Sequence, residues 1–198
     1  MRMRLQIIGW LACSVYSTIP AFWLMIHPCA ERWRSHRGSP YRVLLPLWIA
    51  MWGVMALITR PWHRIAIYKT MWLWAATIPL FAVGLFLYWQ SGKRFTAKQL
   101  GGLPEIHGAH REQRLVTEGI RSRVRHPVYL AHVCEMLAWS LGTGLAVCWG
   151  LTGFAVVTGA VMIRLEEAEL EKRFGDSYRL YRRSVPAVLP RLWEARQL

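Results

Sequence analysis

Residues 127–163 form one apolar stretch with no polar loop inside it, and no other feature of the chain restricts the fold as much. The stretch is too long for a single membrane crossing, which takes about 20 residues. In hydrocarbon a helix satisfies all its own backbone groups, so the stretch must double back as a helical hairpin. Two turn sites are available, Gly142-Thr-Gly144 and Trp149-Gly150. A turn near 148–151 is favoured, which leaves each arm at about 20 residues or fewer. A hairpin also brings its two ends to one membrane face. Both ends are polar: Arg125, His126 and Tyr129 at one, Arg164-Leu-Glu-Glu-Ala-Glu-Leu170 at the other.

The rest of the chain fits the same setting. It has 198 residues, 54% of them hydrophobic, and 12 are Trp. Three earlier apolar runs, roughly 5–26, 43–58 and 70–90, have spanning length or nearly so. Pro20, Pro46 and Pro79 lie inside them, where neighbouring helices can satisfy the carbonyl groups that proline frees. Trp33, Trp62, Trp72, Trp89 and Trp149 fall near predicted span ends, as interfacial anchors do. The first run carries Trp and Pro and lacks an A-x-A site, so it reads as a retained span and not a signal peptide. The fold expected is all-α: an integral membrane bundle of about five transmembrane helices. Its last two helices form a tight hairpin, and a short cytoplasmic C-terminal helix follows. The fifth span should continue past the membrane surface to about Phe174. Gly175 stops it, and Asp176 caps a short helix with Tyr178 and Tyr181 on one face, which Pro186 ends. Residues 1–90 would hold three spans. Residues 91–198 would hold a binding loop, the hairpin and the tail, all within one integrated domain.

Net charge is +14, but the charge sits in loops and the tail. That distribution suits anionic lipid headgroups and argues against nucleic acid as a partner. Placing residues 27–42, 91–126 and the tail from 164 on one side puts 20 of the 25 Lys and Arg there. The positive-inside bias then sets the N-terminus out and the C-terminus in the cytoplasm, in a cell inner membrane. The cysteines, Cys13, Cys29, Cys134 and Cys148, show no metal-binding spacing and read as reduced packing residues. No metal site is indicated, and the oligomeric state is not encoded in any visible pattern.

Pro127 suits the first turn of a helix, where its missing N–H costs nothing. Arg125 and His126 then stand at a helix N-terminus, which attracts an anion such as a carboxylate. With Tyr129 on that arm and Glu166 and Glu167 on the other, the hairpin mouth suits a zwitterion. An amino-acid moiety is such a ligand, with its carboxylate at the helix N-terminus and its ammonium at a glutamate. The same charges also fit a plainer role, holding the hairpin at the membrane surface. His132 and Glu135 lie in the first turns of the fourth span. Ionisable groups in a span are costly and usually functional; an interfacial position is the competing placement. Glu169, Glu171, Arg179, Arg182 and Arg183 read as solvated or headgroup-facing surface, and His107 and His110 as loop residues.

The order of these residues carries more than their charge. Leu115-Val116-Thr117-x-Gly119, then Arg125-His126-Pro127-x-Tyr129, then Glu166-Glu167-x-x-Leu170-x-x-x-Phe174-Gly175-x-x-Tyr178-x-x-Tyr181-x-x-x-Val185-Pro186-x-x-x-Pro190 resembles the isoprenylcysteine carboxyl methyltransferase family, whose relatives include membrane phospholipid methyltransferases. The resemblance covers about residues 110–190. It implies an integral membrane methyltransferase that uses S-adenosyl-L-methionine at the cytosolic mouth of the last hairpin. Its acceptor would be a lipophilic small molecule or a lipidated one, drawn from the bilayer. Carried over residue by residue, the implied cofactor positions are Leu115, Val116, His126, Pro127, Val128, Tyr129 and Glu166, with Glu166 taking the methionine ammonium. Arg125 and Glu167 join them from the zwitterion reading. Gln113 joins them as the residue standing where the family often has His; it keeps a donor and an acceptor but loses the ring. Arg121 stands where the family often has Tyr, which loses a stacking surface unless the guanidinium stacks instead.

A tyrosine ring near the sulfonium would add a cation–π attraction of ~0.5–2 kcal/mol. The sulfonium is already activated, so orientation does most of the work. His126 is therefore read as a ligand-binding or capping group and not as a base, and no catalytic residue is assigned. Family members that methylate a prenylcysteine carboxylate commonly carry Arg four residues before the first Glu of the pair. Here that position is Met162, and Arg164 points to nearly the opposite helix face. A lipid-like acceptor is expected, but not a prenylcysteine carboxylate held by that arginine. Two other readings compete. One is a non-catalytic membrane protein that keeps the hairpin as a lipid- or partner-binding module. The other is a transporter, disfavoured by the lack of inverted repeats and of a polar mid-membrane cluster.

Overall fold

The computed structural model describes residues 2–29, 32–33, 39–93 and 115–190. The described residues include six α-helices and three short 3-10 helices. The α-helices are α1 (Arg2–Ile26), α2 (Tyr41–Thr59), α3 (Leu73–Gly92), α4 (Pro127–Thr143), α5 (Ala146–Phe174) and α6 (Asp176–Ser184). Four of them, α1, α2, α3 and α5, are long and apolar enough to cross a membrane. Helix α4 has 17 residues and is shorter. The outer faces of α2 and α3 carry Val43, Leu45, Ile49, Val54, Leu57, Ile78, Val83, Leu85 and Phe86, all exposed. Soluble proteins do not leave apolar surface that extensive bare to water, so lipid covers it and the protein is integral to a membrane.

Helix α4 lies at the centre, packed against α1, α3 and α5, while α2 packs on α1 at the periphery. The hydroxyls along α1 donate back to its own carbonyls, Ser14 to Trp10 at 2.8 Å and Thr18 to Val15 at 2.7 Å. They are thereby satisfied where no water reaches. Trp62, Trp72 and Trp89 stand exposed at helix ends, as anchors should. Trp33 instead turns inward, and its indole N–H donates to the Met25 carbonyl at 2.9 Å. All four cysteines are free thiols.

The hairpin turn falls at Gly144 and Leu145, not near 148–151, and Trp149 and Gly150 lie inside α5. Two features draw it there. Gly144 has φ 66°, the left-handed region that closes helices at glycine. The turn's backbone groups are also met by a segment far away in sequence. The Ile67 N–H donates to the Gly144 carbonyl at 2.8 Å, and the Ala146 N–H to the Ile65 carbonyl at 2.9 Å. The Tyr68 hydroxyl donates to the Leu141 carbonyl at 2.9 Å. With partners supplied by residues 65–68, the turn needs no polar loop of its own.

From the turn the two arms run antiparallel. Ser140 and Thr152 hydroxyls meet at 2.9 Å, and Tyr129 packs on Gly159, where an added Cβ would lie 2.8 Å from the ring. Helix α5 ends at Gly175, φ 56°. Asp176 occupies the first position of α6 instead of capping it; Gly175 takes the cap position, and the Asp176 carboxylate accepts from Arg179 at 2.7 Å. Tyr178 and Tyr181 share the buried face of α6, packed with Leu115, Leu170 and Phe174. Val185 turns extended just before Pro186, as a residue preceding proline must.

Candidate functional site

The hairpin mouth is built by the first residues of α4 and the middle of α5. Pro127 starts α4, so residues just before it end up beside whatever faces them on the opposite arm. What faces them is Glu166 and Glu167. The Arg125 guanidinium is buried and fully engaged. Its Nε donates to Glu167 Oε1 at 2.8 Å and its Nη2 donates to the same oxygen. Its Nη1 donates to the carbonyls of Arg182, at 2.9 Å, and Val185. The backbone follows suit: the Arg125 and His126 N–H groups donate to the Pro186 and Ala187 carbonyls at 2.9 and 2.8 Å. Arg125 thus ties the hairpin to the segment that follows α6.

His126 has one carboxylate on each ring nitrogen, Glu166 Oε2 at 3.4 Å from Nδ1 and Glu167 Oε1 at 3.1 Å from Nε2. A carboxylate beside each ring nitrogen favours the imidazolium. Burial opposes the charge, but the negative charge of Glu166, and then of Glu167, more than offsets it and raises the His126 pKa to about 9. Glu167 is buried and saturated, with a further contact to Arg182 Nε at 3.4 Å. Glu166 differs: its side chain is 22% exposed, and its recorded ion-pair partner is the His126 ring at the longer distance.

The other sequence-predicted positions collect around this pair. Tyr129 lies one turn into α4, within electrostatic reach of Glu166, and its buried hydroxyl has no hydrogen-bond partner among the described residues. The Val128 carbonyl accepts from His132 Nδ1 at 2.7 Å. Leu115 packs under α6, and Val116 is half-buried beside it in the chain. Gln113 lies outside the described residues. Arg121 is held near the mouth through the backbone, donating to the Arg125 carbonyl at 3.0 Å and receiving the Tyr181 hydroxyl on its own carbonyl at 2.6 Å. Met162 is buried and Arg164 is exposed, as the helix geometry requires.

Sequence reasoning missed a second polar group within the spans. Tyr16 of α1 and Tyr88 of α3 place their rings edge-on to His132, at 5.3 and 5.4 Å between centroids, and Tyr129 lies 6.2 Å away. Glu135 is buried one turn further along α4. The signal was present as a tyrosine in each of two otherwise apolar spans. Among the described residues no group of His, Cys, Asp and Glu could hold a metal ion.

Comparison with known proteins agrees with the motif order. The chain is 29% identical over 152 residues to methanethiol S-methyltransferase of Mycobacterium tuberculosis, covering 72% of this chain and 56% of that protein. It is 26% identical over 187 residues to methanethiol S-methyltransferase 2 of Bradyrhizobium diazoefficiens, covering 88% of this chain and 70% of that one. It is 33% identical over 93 residues to protein-S-isoprenylcysteine O-methyltransferase of Schizosaccharomyces pombe, covering 41% of this chain and 35% of that protein. These similarities are consistent with an isoprenylcysteine carboxyl methyltransferase-like membrane methyltransferase. The chain spans about half the length of the mycobacterial relative and about a third of the fission-yeast one. No family model and no solved structure matches it. The mouth residues of this chain divide into a closed pair, Arg125 with Glu167, and a more open one, His126 with Glu166.

Proposed function

We propose that this protein transfers a methyl group from S-adenosyl-L-methionine to a lipophilic acceptor at the cytoplasmic face of a membrane. The observation that carries the reading is the open half of the mouth. Glu166 is an acidic side chain with accessible surface beside a helix N-terminus, and Tyr129 adds a buried hydroxyl without a partner. A zwitterion fits those groups, with its ammonium at Glu166 and its carboxylate toward the start of α4. Leu115 and Val116 would wall the site, and Gln113, Pro127 and Val128 complete the set. Arg125 and Glu167 act there as the frame that fixes His126. Bound in this site, S-adenosyl-L-methionine supplies a methyl group that is already activated. The chain's own residues then have to bind, orient and exclude water. The names of the relatives, which act on methanethiol and on isoprenylcysteine, support methyl transfer. Met162, buried where an acceptor-binding arginine would stand, argues against a carboxylate acceptor held from that position.

In this reading α4 completes a fifth crossing together with α5, the chain acts as one domain, and the tail is cytoplasmic in an inner membrane. A phosphatase reporter fused to the tail should be silent; high activity, which requires export, would refute the orientation.

Calorimetric titration of the detergent-solubilised protein with S-adenosyl-L-methionine tests the function. Glu166→Ala should weaken binding roughly ten- to a hundredfold, because an ammonium loses a charged partner worth about 1.5–3 kcal/mol. No binding by the unmodified protein would favour the competing module that keeps the fold without the chemistry. Arg121, held by main-chain contacts where the family often has a ring, is the feature that supports that second reading.

A further inference from the structure

Beneath the mouth, between α1, α4 and α5, a cavity walled by Tyr16, Tyr129, His132 and Met136 has room for about one water, too little for an acceptor. Beside the mouth stands a residue from the half of the chain outside the motif. His27 follows α1 in a single 3-10 turn, His27–Cys29. Its Nδ1 lies 2.9 Å from Glu169 Oε2, and it is within electrostatic reach of Glu166. We propose that His27 is a positioning residue for the cofactor site, fixing through Glu169 the face of α5 that presents Glu166 to the cofactor's ammonium. This deepens the S-adenosyl-L-methionine reading and rests on it.

The two flanks of Glu166 are held by different parts of the molecule. On one flank lie Glu167 and Glu171, about 100° and 140° around the helix from Glu166. Arg125 engages the first, and Arg182 of α6 lies 3.4 Å from Glu167 and 3.3 Å from Glu171. On the other flank, about 60° away, lies Glu169. There the turn that ends α1 packs against α5, and His27 makes the polar contact. Clamped on one flank alone, a helix end can rotate about its axis. A productive site tolerates only about 10–20° and 0.5 Å of such error. The clamp from α1 therefore completes what Arg125 and α6 begin.

The imidazole is itself held in one place. Its ring is stacked on Trp23, one turn earlier in α1, at 5.4 Å between centroids and 21° between planes. Trp23 packs in turn on the buried pair Ile26 and Leu44. The His27 side chain is 5% exposed and that of Glu169 16%, although the sequence assigned Glu169 to solvated surface. The enclosure matters, because an ion pair open to solvent orders little.

A contact that only joined α1 to α5 would support every ligand of the site equally. A contact that positions Glu166 supports the ammonium alone, and a matched pair of ligands separates the two roles. The pair is S-adenosyl-L-homocysteine, the cofactor's demethylated product, and its analogue without the amino group. The ratio of their dissociation constants, measured by calorimetry on the full chain in detergent, isolates the ammonium's contribution. In His27→Ala that ratio should shrink about fivefold or more. Glu169→Ala should shrink it to a similar extent, and the double variant no further. His27→Asn, whose amide can donate where Nδ1 stands, should recover most of the ratio.

An unchanged ratio in His27→Ala overturns the proposal, even if both ligands bind more weakly. So does an asparagine that performs no better than alanine. If His27→Ala fails to fold, Glu169→Ala decides by the same ratio. No binding of S-adenosyl-L-homocysteine to the unmodified protein overturns the cofactor reading and this inference with it, whereas binding with an unmoved ratio overturns this inference alone.

Discussion

The hairpin mouth and the cavity beneath it hold similar residue types under opposite rules. At the mouth, Arg125, His126 and Glu167 contact one another and nearby carbonyls until almost every polar atom is engaged. In the cavity wall Tyr129, and one turn past His132 on α4 Glu135, each keep a buried oxygen without a hydrogen-bond partner among the described residues. A saturated cluster fixes geometry, because removing any member strands the others. An unsaturated one costs stability as it stands and is retained where a ligand completes it. The difference separates framework from chemistry more clearly than charge or burial does.

The comparison predicts unequal responses to substitution. The largest is Arg125→Ala, which leaves Glu167 buried without its main partner and should cost about 3–5 kcal/mol. His132→Asn, by contrast, keeps its hydrogen bond and should cost no more than about 1 kcal/mol. Thermal unfolding in detergent measures both; similar losses would erase the distinction between the two regions.

A smaller effect follows from pH. His126 titrates at an ordinary 6.5 when unfolded and at about 9 when folded. A raised folded pKa means that its stabilisation is complete below pH 6.5 and is lost as pH rises through 9. The unfolding temperature should therefore fall between about pH 7 and 9.5, and fall less in His126→Gln. A wild-type profile no steeper than that of the variant would place the imidazolium elsewhere.

The smallest effect is at the rim. Glu171 meets Arg179 at 2.8 Å and Arg182 at 3.3 Å in an exposed network. Its removal should change neither stability nor cofactor affinity measurably. A loss as large as that of Glu166→Ala would mean that the ammonium site is not at Glu166.

The sequence made the mouth legible because its parts recur at helical spacings on two adjoining segments, and Pro127 and Gly175 marked where those helices begin and end. It did not reveal which carboxylate pairs with which base. Glu166 and Glu167 are neighbours about 100° apart on α5, and only packing decides that Arg125 takes the second. The cavity was hidden for another reason. Its tyrosines are Tyr16 of α1 and Tyr129 of α4, and the apolar pattern of a span does not show which residue faces inward. The turn was misplaced because its backbone partners lie near residue 66, in a loop whose only visible property was charge.

That distant pairing has a consequence for biogenesis. Ala66 and Leu145 form a single antiparallel bridge, so the segment that closes the hairpin turn leaves the ribosome well before the turn does. Until residues 65–68 are in position, the Gly144 carbonyl and the Ala146 N–H lack these protein partners. The segment between α2 and α3 thus supplies the backbone partners of the turn between α4 and α5. For these two backbone hydrogen bonds the half of the chain that carries the motif depends on the half that bears none of it.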